Sequence, residues 1–238
     1  MDSLITTIDR CLLVAAAPGE FQAVVDAITT CDQSAQSPDS PAPGAVIRLD
    51  DRFDLVLGGV GKASAAAATS RALTLQTYRS VISVGIAGAL PSNRPLGLGT
   101  SITATRSVFS DEGIGATEGF IPMSDLGFAP FAQGEMGIDH DPELTRLLSS
   151  LTDSQGIIAT VSWCSGDDGC AGGVVARTGA LAEAMEGAAV AVAAQMIDPS
   201  IRTGELRVIS NSTGHRTEQV WDLDGALAGL TGVLGRLG

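Results

Sequence analysis

Four short segments of this sequence combine side chains that can do chemistry with a position just after an apolar run. In Ala17-Pro18-Gly19-Glu20, a carboxylate follows the run Leu12 to Ala17. Glu20 there either takes a proton from water as a general base or serves as a helix-start carboxylate favoured by the helix dipole. In Gly58-Gly59-Val60-Gly61-Lys62, glycines and a lysine suggest a phosphate cradle. The spacing is not GxxxxGK[ST], and a tight strand-to-helix turn is the preferred reading. In Ala184-Met185-Glu186-Gly187-Ala188-Ala189, a carboxylate can accept two hydrogen bonds from a cis-diol while Met185 packs on a sugar. A helix-start Glu among packing alanines explains the same residues. In Ile209-Ser210-Asn211, the amide offers a donor and an acceptor together, which suits a 6-oxopurine edge as well as a turn or cap.

These groups need a scaffold that delivers strand ends to one place. Apolar runs at Leu12–Ala17, Asp54–Leu57, Val81–Val84, Thr100–Val108, Ile157–Ser162, Ala180–Met185 and Leu206–Ser210 read as strands. Helical patterns cover Phe21–Thr29, Lys62–Leu75, Glu186–Ile197 and Leu223–Leu237. Strand signals also resume at Val46 after a polar surface loop at 32–44. Strand–helix alternation predicts an α/β fold, a single domain over 1–238 with a central mixed, mainly parallel sheet flanked by helices. Ligands of such sheets bind beyond the carboxyl ends of the strands, where the four segments fall. The stretch from Ser110 to Asp141 reads as irregular and Gly-rich. Its length suggests a functional cover, and Asp111, Glu112 and Glu118 are solvated loop acids by default.

Composition limits the function. The chain has 238 residues and a net charge of −13, which argues against a nucleic-acid partner. No apolar stretch reaches membrane-spanning length, and no signal-peptide pattern opens the chain, so the expectation is a cytoplasmic protein that binds no membrane. Four cysteines (Cys11, Cys31, Cys164, Cys170) and two histidines (His140, His215) have no metal-binding spacing, so no metal and no cofactor is expected.

The order and spacing of the segments resemble the nucleoside phosphorylase/nucleosidase superfamily over about Leu12 to Leu237. Gly85-Ile86-Ala87-Gly88 is similar to its glycine-rich turn after a central strand. Ala184-Met185-Glu186-Gly187 resembles its ribose-binding Met-Glu motif, and Ile209-Ser210-Asn211 its base-recognition strand end. Within the superfamily the sequence is most similar to the futalosine hydrolase family of the alternative menaquinone pathway. Ala184 to Ala191, Thr160-Val161-Ser162 with Ser165-Gly166, and Ser210-Asn211 with Gly214-His215-Arg216 carry that likeness. His215 stands where an acidic residue would be expected.

The resemblance implies a homo-oligomeric enzyme that cleaves the N-glycosidic bond of a purine nucleoside. Glu20 and Asn211 become the catalytic candidates. Ser83, Gly85, Ala87, Gly88, Val161, Trp163, Met185, Glu186 and Ser210 become the substrate-binding ones. A core or subunit-interface role for Trp163 also fits.

A phosphorylase needs an arginine clamp for phosphate. Ala17–Glu20 has none, and Ser83 stands where bacterial-type phosphorylases carry Arg. Lys62 and Arg106, the nearest basic residues, have no assigned role. Hydrolysis is therefore favoured. Methylthioadenosine/adenosylhomocysteine nucleosidases have Asp after the strand-end Ser, whereas this chain has Asn211. That change favours a hypoxanthine nucleoside such as futalosine over aminofutalosine or methylthioadenosine. A purine nucleoside phosphorylase and a catalytically silent binding protein of the same fold remain the alternatives. A Rossmann oxidoreductase lacks its GxGxxG here.

Overall fold

A computed structural model describes residues 10–29, 42–117, 119–128 and 135–237. Strands β1 (Cys11–Ala15) and β3 (Phe53–Leu57) are buried along their whole length. Such continuous burial is the mark of strands covered on both faces. β1 lies between β3 and β4 (Ser80–Ala89), parallel to both. Alternation along the strands divides the interior in two. Leu13, Ala15, Leu55, Ile82, Val84, Leu206 and Val208 face helices α1 (Pro18–Ile28), α3 (Pro142–Ser149) and α6 (Leu223–Leu234). Leu12, Val14, Val56 and Val81 face α2 (Lys62–Leu75) and α5 (Gly187–Ile197). The alanines of α2 and α5 let these two helices pack closely.

The sheet order is β10-β9-β5-β11-β4-β1-β3-β2, with β2 at Val46–Arg48, β5 at Ser101–Phe109, β9 at Ser154–Thr160, β10 at Ala182–Ala184 and β11 at Arg202–Ser212. β8 (Gly137–Asp139) joins β5. The path bends back on itself, because β10 also pairs antiparallel with the end of β4 (Ala182↔Ala89, Glu183↔Gly88). Five strands thus close into a small barrel around Ala87, Ile102, Ala104, Ile158, Ala182 and Ile209. The expected single α/β unit with a mixed, mainly parallel sheet is the observed one.

Three expectations need correction. Gly85-Ile86-Ala87-Gly88 is not a turn after a strand but the second half of the ten-residue β4. Its backbone hydrogen bonds go to β11 and β10, and that pairing outweighs the turn preference of glycine. The region 110–141 is not irregular over its described residues. It holds a hairpin, β6 (Gly113–Ala116) with β7 (Gly119–Pro122), a 3-10 turn at Met123–Leu126, and β8. Helices α3 and α4 (Asp168–Thr178) were missed. Each starts on an Asp cap: Asp141 accepts from Leu144 N at 2.8 Å and Asp167 from Cys170 N at 2.7 Å. Three glycines within α4 hide its periodicity. Glu118, Cys31 and most of the polar loop at 32–44 lie outside the described residues.

Candidate active site

Pro18 at the first position of α1 fixes an abrupt entry from β1, with Ala17 as the extended N-cap. Glu20, at the third helical position, therefore turns back over the helix start. Its Oε2 accepts from Ala16 N (3.0 Å) and Ala17 N (2.9 Å), and its Oε1 from Ile86 N of β4 (2.8 Å). The two readings of Glu20 are thus compatible: it caps the helix and faces the strand ends. Burial raises its pKa above the ordinary carboxylate value. Arg207 and the N–H groups of Ile86 and Ala17 pull it back, while Glu186 adds to the rise. A buried carboxylate held more basic than usual is suited to accepting a proton.

Gly85 makes this approach possible. A Cβ there would overlap Glu20 Oε1 and lie 2.6 Å from Arg207 Nη1. Glu20 and Arg207 therefore converge on one point in front of Gly85.

Arg207 corrects the expectation that the site lacks an arginine. It sits within β11 and is among the most buried side chains of the protein. Nη2 donates to Ser83 Oγ at 2.7 Å and lies 3.4 Å from Glu186 Oε2, and Nε donates to Glu205 Oε1 at 2.9 Å. Ser83 thus meets the site through Arg207. The charge balance still opposes a phosphate dianion, since Glu20, Glu186 and Glu205 surround one guanidinium. The inference against phosphate survives with a different cause. The guanidinium is present, and its charge is already engaged by carboxylates.

Glu186 is the N-cap of α5. Its Oε1 accepts from Gly61 N at 3.0 Å, so the Gly58–Lys62 turn is part of the site's wall rather than only a connection. Gly59 (φ 82°) and Gly61 (φ 92°) hold the left-handed conformations that this turn needs. Met185 packs against the cluster that contains Val161. Lys62, without a role in the sequence, pairs with Asp111 and lies 4.9 Å from the ring centre of Phe109. Asp111 also accepts from Ser162 N, so it ties a loop down instead of being solvated. Arg106 pairs with Glu135 and Asp139, apart from the site.

Asn211 follows a bulge where β11 slips against β4, between Ile209 and Asn211. The bulge re-aims the side chain. Ser210 Oγ lies 3.0 Å from Asn211 Oδ1 and 3.3 Å from Ala87 O, and Asn211 Nδ2 donates to Ser212 O at 2.9 Å. Gly88 leaves room for the amide: a Cβ there would stand 3.1 Å from Nδ2.

Beyond Val161 a cavity of about 550 Å³ opens, lined by Trp163, Ser165, Phe120, Cys170 and Arg177 among others. Trp163 is 65% exposed, which removes the core reading. Glu20, Glu186 and Asn211 are not in this lining; Val161, which bonds to Ala184 O at 2.8 Å, connects the two places. Glu183, unnoticed in the sequence, pins the cavity wall by accepting from Ser165 N and Oγ, both at 2.7 Å. His215 sits exposed in a turn, its ring 2.9 Å from Thr217 Oγ1. Among the described residues no His/Cys/Asp/Glu cluster has metal-binding geometry, and no helix is long and apolar enough to cross a membrane.

The chain belongs to the phosphorylase superfamily: the sequence model of that family matches residues 10–230. Within it the relatives are narrower in kind. The futalosine hydrolase of Streptomyces coelicolor is 36% identical, over 83% of this chain and 86% of that protein. That of Acidothermus cellulolyticus is 37% identical, over 83% and 80%. Among solved structures, futalosine hydrolase of Helicobacter pylori superposes with a TM-score of 0.72, 17% identity and coverage of 98% and 96%. The methylthioadenosine/S-adenosylhomocysteine nucleosidase of Neisseria meningitidis gives 0.75, 18%, 96% and 98%. Those two likenesses concern the fold.

Proposed function

We propose that this protein hydrolyses the N-glycosidic bond of futalosine, releasing hypoxanthine and dehypoxanthine futalosine. The observation that carries the reading is the convergence of Glu20 and Arg207 on one point before Gly85, beside Glu186. The futalosine hydrolases at 36–37% identity support the choice of substrate.

In this mechanism Glu186 accepts hydrogen bonds from the ribose diol and Met185 packs on the sugar. A water held by Glu20 Oε1 and Arg207 Nη1 loses a proton to Glu20 as its oxygen bonds to C1′. The C1′–N bond breaks and its electron pair moves onto the purine. Asn211, oriented by Ser210, stabilises that charge by hydrogen bonding until the departing base takes a proton from solvent and Glu20 returns its own to solvent. Water, not phosphate, is the nucleophile because the cluster's negative charge repels an anion. The site functions in a cytoplasmic homo-oligomer.

The test is base release from futalosine, aminofutalosine, inosine and methylthioadenosine in phosphate-free buffer, followed by chromatography. Hypoxanthine from futalosine is the expected product. Adenine from methylthioadenosine or aminofutalosine as the main product would move the protein to a sister nucleosidase. A strict need for phosphate would make it a phosphorylase.

A further inference from the structure

Arg207 is held at Nε by a chain of buried polar side chains that runs from β11 through β5 to the residue after β8. Glu205 Oε1 accepts from Arg207 Nε at 2.9 Å. Glu205 Oε2 accepts from Ser107 Oγ of β5. Ser107 Oγ lies 2.7 Å from His140 Nε2, and His140 Nδ1 lies 3.2 Å from Thr203 Oγ1. Glu205 is fully buried, and Ser107, His140 and Thr203 are buried with it. Gly187, where α5 begins, carries no side chain because a Cβ would overlap the Glu205 carboxylate. The first turn of the helix that presents Glu186 is thus shaped around Glu205.

The chemistry fixes the direction of this chain. A carboxylate only accepts, so Ser107 must donate its single proton to Glu205. Ser107 must then accept from His140, which places the imidazole proton on Nε2. Nδ1 then accepts from the Thr203 hydroxyl, against the pull of the Thr203 backbone carbonyl, which also faces the ring. We infer that Glu205, anchored through Ser107 and His140, is a positioning residue that fixes Arg207 and absorbs part of its charge. This rests on the reading of Glu20 as the base.

The groups around Arg207 are Glu20 from α1, Glu186 at the start of α5 and Glu205 on its own strand. His140, reached through Ser107, has Asp139 beside it. Without Glu205, the guanidinium charge would bear fully on Glu20 and Glu186. Glu20 would ionise more readily and would be a weaker base. With Glu205 in place, Arg207 still donates hydrogen bonds, yet it does not cancel the basicity that burial gives to Glu20. Burial also drives the His140 pKa down to about 4, so the imidazole is neutral and its tautomer persists at neutral pH.

Glu205→Gln keeps the shape and removes the charge. Its amide oxygen still accepts from Arg207, and its NH₂ donates to Ser107. The chain must then run in reverse, with the His140 proton on Nδ1. The experiment combines ¹⁵N NMR of the histidine rings with the pH dependence of kcat, on whichever nucleoside the wild-type enzyme cleaves. For the wild type, an Nε2–H His140 that does not titrate between pH 5 and 9 is expected. For Glu205→Gln, the Nδ1–H tautomer is expected, with the acid limb of kcat lowered by at least about half a pH unit. Its kcat should fall by about tenfold while KM stays within about twofold. An Nδ1–H tautomer in the wild type, or an unmoved acid limb in the variant, overturns the proposal. The wild-type NMR result decides even if the variant does not fold. It is also independent of substrate, so failure to cleave futalosine would remove the proposed function without deciding this inference.

Discussion

At the scale of single residues, Glu20 and Asn211 make separable predictions. Glu20→Gln removes the proton acceptor and should lower kcat by roughly 10²–10⁴-fold, the usual contribution of a positioned base. Substrate-analogue affinity, measured by calorimetry, should change little. Asn211→Asp should shift the preference between hypoxanthine and adenine nucleosides toward adenine by at least about tenfold in competition assays, because a carboxyl group can share a proton with adenine N7. Glu20, Glu186 and Asn211 were legible in the sequence because each follows an apolar run that could end at a ligand. Arg207 was not, since it lies inside the run Leu206–Ser210, nor was Glu205, which stands just before that run. A signal was nonetheless present. Two opposite charges two residues apart in a strand share a face, and in an otherwise apolar run they must be buried together.

At the scale of elements, β4 decides how much can approach the site. Its glycines read as a turn in the sequence, although what they supply is room. Gly85→Ala keeps the strand-compatible backbone but places a methyl group on Glu20 Oε1 and against Arg207. It should reduce kcat by more than about 100-fold and lower the melting temperature, because two buried charged groups must move. Circular dichroism melting with steady-state assays checks both. A variant with near-wild-type kcat would show that the convergence before Gly85 is not used. The long strands and the Ala-rich helices were visible from their apolar runs. Helix α4 and the β6–β7 hairpin were obscured by glycines at positions where caps and pairing, rather than side-chain periodicity, carry the structure.

For the whole molecule, the buried neutral His140 links stability to pH. Its folded pKa of about 4 lies below the ordinary value of 6.5. The unfolded chain therefore binds the proton more readily. The contribution is fully present above about pH 6.5 and is lost as pH falls to about 4, amounting to about 3 kcal/mol. Thermal melting of the wild type and of His140→Gln across that window should show a steeper acid-side loss in the wild type. Parallel slopes would mean that His140 is not buried neutral.

The barrel closure has a further consequence for assembly. Where β10 pairs with both β9 and β4, the strands that carry the reacting groups offer no backbone for another chain to extend. Among the described residues, the main sheet leaves its outer hydrogen-bonding groups open on β2 and β8, each only three residues long. Edges so short are poor templates for strand addition. Any association between copies of this protein would therefore run through helices and loops rather than by continuation of the main sheet.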